Sequence, residues 1–238
     1  MATTFKTLTN NDTTSTRTLL HEAIPLTGTI VSGTYTSEGN IKNYSHGMFQ
    51  SVYDYPYLSS SANLIFDLTA GYSNNSPLSS STNNQNAKKI NIYNQMSQVL
   101  VGYDSVGNLQ DFDRDGDLTG GNKLTECLFV NFSRLLTKDE IKKGSFELKF
   151  LTGSTVLART DLMTIADYGA ATAHKVNSPS GEYGILYTSS ATPVADGTSG
   201  VGLVYYQAGV AVLTSSVFSF NAAGQTFCEF GAPASNKN

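Results

Sequence analysis

The sequence predicts a β-rich α+β protein made of antiparallel sheets and hairpins, and three observations carry that reading. First, 13 Tyr and 12 Phe stand beside 27 Thr and many Val, residues whose flat or branched side chains suit a pleated surface. Second, 21 Gly supply positions for frequent tight turns. Third, the last third contains four short apolar runs separated by turn residues, at 183–187, 201–206, 210–213 and 217–220.

The elements follow in chain order. Residues 1–25 are dominated by Thr, Asn and Ser with little periodicity, and read as a polar arm that cannot order itself by burying apolar surface. Residues 26–238 read as a single β-rich structural domain, with 73–86 and 105–122 as the places for an internal boundary if there is one. The stretches 26–36 and 48–57 carry β-branched and aromatic residues and predict extended segments, the second limited by Pro56. Within it Tyr53, Tyr55 and Tyr57 are spaced by two, which in a strand places all three on one face. Residues 62–69 predict a strand, and the Ser/Asn-rich stretch 73–86 predicts a long exposed loop.

Ile92, Met96, Val99 and Leu100, widened by Ile90 and Tyr93, recur at helical spacing, predicting the main helix at about 87–101 with Gly102 as its stop. Residues 123–132 predict a buried strand with Leu124, Leu128, Val130 and Phe132 on one face and Cys127 and Phe129 on the other. Thr137 and Glu140 have capping-box spacing, predicting a short helix at about 137–143. Phe146, Leu148 and Phe150 alternate with Glu147 and Lys149 as in a half-buried strand. Gln207, Ala208 and Gly209 fit a three-residue hairpin loop between strands within 201–213.

Charge and composition narrow the function classes. Only 14% of residues are charged and the formal net charge is −4, which argues against a nucleic-acid partner because phosphate neutralisation needs a basic excess. No window approaches the length of an apolar membrane span, and the first residues lack a secretory h-region. Cys127 and Cys228 stand far apart and form neither a zinc motif nor a disulfide framework. The histidines at 21, 46 and 174 belong to no metal or triad pattern, and GxSxG, GxGxxG and GxxxxGK[ST] are all absent. The chain is therefore expected to be non-enzymatic.

One local pattern does carry chemistry. Asp111, Asp113, Asp115 and Asp117 alternate, with Gly116 sixth and Leu118 eighth, as in the first half of an EF-hand calcium loop. The twelfth position is Asn122 where a bidentate Glu belongs, so a full EF-hand is not expected. A Ca²⁺ loop lacking its closing ligand and a solvated acidic turn are the two readings left. A second expectation concerns association: Tyr53, Tyr55, Tyr57, Tyr205, Tyr206, Val210 and Val212 are the candidate subunit-interface residues.

Five stretches, TLTNNDTTSTRTLLHEAIPLTG (7–28), the segment 39–73, KKINIYNQMSQVLVGYD (88–104), NFSRLLTKDEIKKGSF (131–146) and the segments between 180 and 213, resemble virion structural proteins of contractile-tailed marine bacteriophages, cyanophages among them. The resemblance covers most of the chain and brings no catalytic residue with it. It implies a structural subunit of the particle, assembled in the host cytoplasm, with other virion proteins and copies of itself as partners. A tail or baseplate place is the first expectation, a capsid decoration or neck place the second. A receptor-binding fibre module using the three tyrosines and the 73–86 loop is a further alternative, although no repeats are present.

Overall fold

A computed structural model of the chain describes residues 39–54, 57–58, 60, 62–80, 84–134, 139–152, 160–188 and 199–218. The arm at 1–25 and the extended stretch expected at 26–36 lie outside them. The described elements run β1 (Ile41–Asn43), β2 (Gln50–Tyr53), β3 (Leu64–Tyr72), α1 (Asn84–Leu100), β4 (Phe112–Asp113), β5 (Lys123–Leu124), β6 (Glu126–Phe132), β7 (Glu147–Thr152), β8 (Thr160–Ala166), α2 (Ala170–Ala173), β9 (Tyr183–Leu186), β10 (Gly202–Tyr205) and β11 (Val210–Thr214). The expected β-rich α+β class is what the chain adopts.

Seven strands form one antiparallel sheet in the order β1-β2-β3-β6-β11-β10-β9. Alternate residues of its central strands feed two separate cores. Leu203, Tyr205, Val210, Val212, Cys127 and Phe129 pack on one face with Ile92, Tyr93 and Leu100 of α1 and with Phe112. Val204, Tyr206, Ala211, Leu213 and Val130 pack on the other with Phe146 and Ile165, which belong to the flank formed by the β7–β8 hairpin. Covered on both faces, β9, β10 and β11 are buried at every residue, which is why their sequences read as continuous apolar runs.

This burial corrects one expectation. Tyr205, Tyr206, Val210 and Val212 are at most 7% exposed and fill the chain's own core, so they are not available to a partner subunit. Strands β10 and β11 likewise have neighbours on both sides, and offer no edge for strand addition from another subunit.

The helix starts earlier than expected, at Asn84, so the stretch expected as an exposed loop at 73–86 is partly ordered structure. A 3₁₀ turn occupies Pro77–Ser80, and Ser73 and Ser76 are buried. The Ser76 hydroxyl donates to Glu126 (2.8 Å) and accepts the Leu78 N–H (3.1 Å), so serines that look like solvent-facing residues knit the turn to β6. At the far end Gly102, with φ 91°, returns its N–H to the Ser97 carbonyl (2.9 Å) and closes the helix where the sequence places its stop. Val99 is 63% exposed and off the buried stripe that Tyr93, Ser97 and Leu100 define.

Three further boundaries differ. Residues 139–143 run as coil and turn rather than as the second half of a helix at 137–143, whose first two residues lie outside the described set. The strand expected at 123–132 breaks at Thr125, whose carbonyl accepts the Ser73 N–H (2.7 Å). The break moves Leu124 into the core of Cys127 and Phe129, away from Val130. Val217 and Phe218, expected to begin a strand at 217–220, belong to a 3₁₀ turn, Ser215–Phe218, and the other two residues of that stretch lie outside the described set. In the 201–213 hairpin the loop has four residues, 206–209, with Gly209 at φ 68° as its left-handed position.

Helix α1 reaches the sheet through a glycine. A Cβ at Gly71 would lie 2.8 Å from the Lys89 carbonyl oxygen and 2.9 Å from the Tyr93 nitrogen, both backbone atoms that cannot move without shifting the helix. Gly71→Ala is therefore expected to lower stability by about 1–3 kcal/mol through overpacking. A denaturant-unfolding midpoint equal to that of the parent chain would show that α1 does not rest on β3 at this distance.

Candidate functional site

The acidic stretch becomes the tip of a small hairpin. β4 and β5 pair in the register Phe112↔Leu124 and Asp113↔Lys123, leaving 114–122 as the loop. Its base is anchored by apolar burial: Phe112 is 0% and Leu124 1% exposed, and the Phe112 ring meets Tyr93 edge-on at 5.3 Å between centroids. The Tyr93 hydroxyl accepts the Phe112 N–H (3.1 Å) and donates to the Leu124 carbonyl (2.7 Å), clamping both strands to α1. On the far side of the loop, the Gly116 carbonyl accepts hydrogen bonds from Tyr183 Oη (3.0 Å) and Asn177 Nδ2 (3.0 Å).

Within this frame Asp113, Asp115 and Asp117 converge, each offering a carboxylate oxygen within 4.8 Å of the others. Asp113 is fully buried. Its Oδ2 accepts the Leu118 N–H (2.7 Å) and pairs with Lys123 Nζ (3.0 Å), while its Oδ1 is buried and meets no hydrogen-bond donor among the described residues. Asp115 is half-buried and accepts the Asp117 N–H (3.2 Å); Asp117 is exposed and accepts the Thr119 N–H (2.8 Å). Burial pushes the Asp113 carboxyl above the usual carboxylate range, with Lys123 pulling it back. The Thr119 N–H holds Asp117 below that range.

Asp111, the first member of the expected calcium set, is not part of this cluster. It accepts the Ser73 hydroxyl and Asn75 Nδ2, each at 2.7 Å, and ties the hairpin to the turn after β3. Gly116 does adopt the left-handed conformation expected of it (φ 69°), and Leu118 adopts it as well (φ 65°). Two participants were missed from sequence: Lys123, which the hairpin register sets opposite Asp113, and Gly121, which leaves the mouth of the cluster open. A Cβ there would stand 3.4 Å from Asp113 Oδ1 and 3.7 Å from Asp115 Oδ2.

The strand expected to carry the three tyrosines is shorter than expected. β2 ends at Tyr53, Tyr55 lies outside the described residues, and Tyr57 returns its N–H to the Gly39 carbonyl (2.7 Å). Tyr53 and Tyr57 still approach each other, at 6.2 Å between ring centroids. Beside them Tyr44, His46 and Phe49 form a second aromatic group at 4.8–5.2 Å, and Lys42 Nζ stands 5.0 Å from the Tyr44 ring and 6.0 Å from that of Tyr57. An open cleft of about 220 Å³ lies between α1 and strands β3 and β6, lined by Phe49, Asp67, Thr69, Met96, Phe129 and Asn131.

No family model, curated protein or solved structure matches the chain. No described helix is long and apolar enough to cross a membrane.

Proposed function

We propose that this chain is a non-enzymatic structural subunit of a tailed-phage virion, a tail or baseplate component that meets its neighbours through a strand edge and the loops beside it. The resemblance of its long segments to phage structural proteins motivates the reading. The structural observation that supports it is the contrast between the two ends of the seven-stranded sheet. At one end β9 is covered: Ala166 exchanges two backbone hydrogen bonds with Tyr187 (2.9 and 3.0 Å), and Lys175 two with Tyr183 (2.8 and 3.0 Å). At the other end β1 pairs, among the described residues, only with β2.

An edge of this kind accepts a strand from another chain through main-chain hydrogen bonds. Tyr44, His46, Phe49 and Tyr57 around it supply aromatic surface of the kind enriched at protein interfaces. Among the described residues that line the cleft beside α1, one carries a carboxylate, Asp67, which accepts the Ser51 hydroxyl. Hydrolysis of a polysaccharide in the usual manner requires a pair.

Purified virions separated into heads and tails, with this chain quantified by mass spectrometry in each, test the proposal. Enrichment with tails is the expected result. Enrichment with heads would replace the tail assignment by a capsid or neck place, and absence from both fractions would overturn the structural reading.

A further inference from the structure

We propose that the 113–121 loop is a calcium site whose side-chain ligands are Asp113, Asp115 and Asp117. The decisive observation is Asp113 Oδ1: the side chain has no exposed surface, and among the described residues no donor reaches this oxygen. A buried carboxylate oxygen left in that state costs free energy that a donor, a proton or a cation must offset. It faces the space it shares with Asp115, because the vacant Cβ position of Gly121 lies 3.4 Å from it and 3.7 Å from Asp115 Oδ2. Lys123 Nζ stands on the side of the other oxygen of the same carboxylate, 3.0 Å from Oδ2. Asp113, Asp115 and Asp117 thus gather three carboxylates within 4.8 Å of one another, with the Lys123 ammonium paired to one oxygen of Asp113.

The donor set selects the ion. All three side chains offer oxygen, with neither nitrogen nor sulfur, which suits a hard cation. A glycine-rich loop adapts to the variable coordination of Ca²⁺ more readily than to the strict octahedron of Mg²⁺. The register is two residues later than the sequence pattern indicates. Counted from Asp113, the acids are first, third and fifth, and Leu118 is the sixth residue. It takes the left-handed turn that glycine makes in an EF-hand loop and donates its N–H to the first acid. The twelfth residue is then Leu124, buried in the core, so no bidentate carboxylate closes the shell and water completes it. Such a site belongs at the weak end of the EF-hand range, with half-saturation at about 0.1–1 mM.

Calorimetric titration of the chelator-treated full chain with CaCl₂ tests this, with the thermal midpoint as a second readout. One Ca²⁺ per chain is expected, together with a calcium-dependent rise in the midpoint. The double change Asp115→Asn and Asp117→Asn affects residues outside the core and should weaken binding at least about tenfold, since it removes two of three charged ligands. Asp111→Asn should leave binding within about twofold, because Asp111 is engaged by Ser73 and Asn75. Lys123→Met removes the competing ammonium and should tighten binding. No saturable calcium effect up to about 10 mM, well beyond the weak EF-hand range, would overturn the site. So would a loss of binding in Asp111→Asn equal to that of the double variant, and equal binding of MgCl₂ would overturn the assignment to calcium.

Discussion

Phe129→Ala is expected to destabilise the chain by about 3–5 kcal/mol, the range for removing a buried aromatic ring and leaving its cavity. Phe129 is 0% exposed and sits on β6, the strand with β3 on one side and β11 on the other. Its ring lies 5.6 Å from that of Phe112 and 6.3 Å from that of Tyr93, with the Tyr93 contact edge-on. These three aromatic rings join β6, the acidic hairpin and α1, so the alanine variant empties the point where three elements meet. Aromatic pairs contribute about 0.5–1.5 kcal/mol beyond area burial, and that geometry is lost with the ring. Since a domain's whole stability is about 5–15 kcal/mol, the variant should unfold at far lower denaturant and with reduced near-ultraviolet tyrosine ellipticity. A loss below about 1 kcal/mol, the level of an ordinary surface substitution at most, would mean that the centre of this core lies elsewhere.

Phe129 also shows how much of the fold could be read in advance. Its pairing with Cys127 on one face of β6 follows from simple alternation, and so do the apolar strands near the C-terminus. The second covered face was not legible, because a run such as Gly202–Tyr205 is equally apolar whether its far side meets a partner subunit or the chain's own β7–β8 flank. For that reason the sequence alone points Tyr205, Tyr206, Val210 and Val212 toward an interface. The break at Thr125 and the turn after β3 were hidden for a related reason. They are fixed by Ser73 and Ser76 reaching Thr125, Asp111 and Glu126, contacts that no local window contains.

The candidate site divides along the same line. Spacing by two was enough to bring Asp113, Asp115 and Asp117 together, because a tight loop lets alternate side chains converge. The exclusion of Asp111 depends on Asn75, which lies 36 residues away in sequence. Lys123 becomes legible only once Phe112 and Leu124 are known to pair, since that register alone sets Lys123 across from Asp113.

Asp167 supports the second large prediction. It follows β8 and is 2% exposed, and nothing in its sequence context distinguishes it from a surface aspartate. Its Oδ2 accepts the Gly144 N–H (2.8 Å) and the Tyr206 hydroxyl (3.0 Å), and its Oδ1 accepts the Phe146 N–H (3.1 Å). One side chain thus joins the entry to β7, the exit of β8 and the end of β10. Asp167→Ala would leave these donors without their acceptor, and a loss of about 2–4 kcal/mol is expected from buried groups left unsatisfied. The pH dependence separates this role from simple packing. Burial raises the Asp167 carboxyl above its ordinary value of 3.8, with the Gly144, Tyr206 and Phe146 hydrogen bonds opposing the rise. The folded state therefore holds the proton more tightly than the unfolded chain does. The stability this contributes is fully present below the unfolded value and is lost as pH rises through the higher folded value. Asp167→Asn removes that dependence, so the parent chain's stability relative to the Asn variant should decline as pH rises through this interval and level off above it. Denaturant midpoints of both proteins across the acidic range measure the difference directly. A difference that instead grows with pH would mean that the hydrogen bonds outweigh burial and hold the carboxyl below its ordinary value.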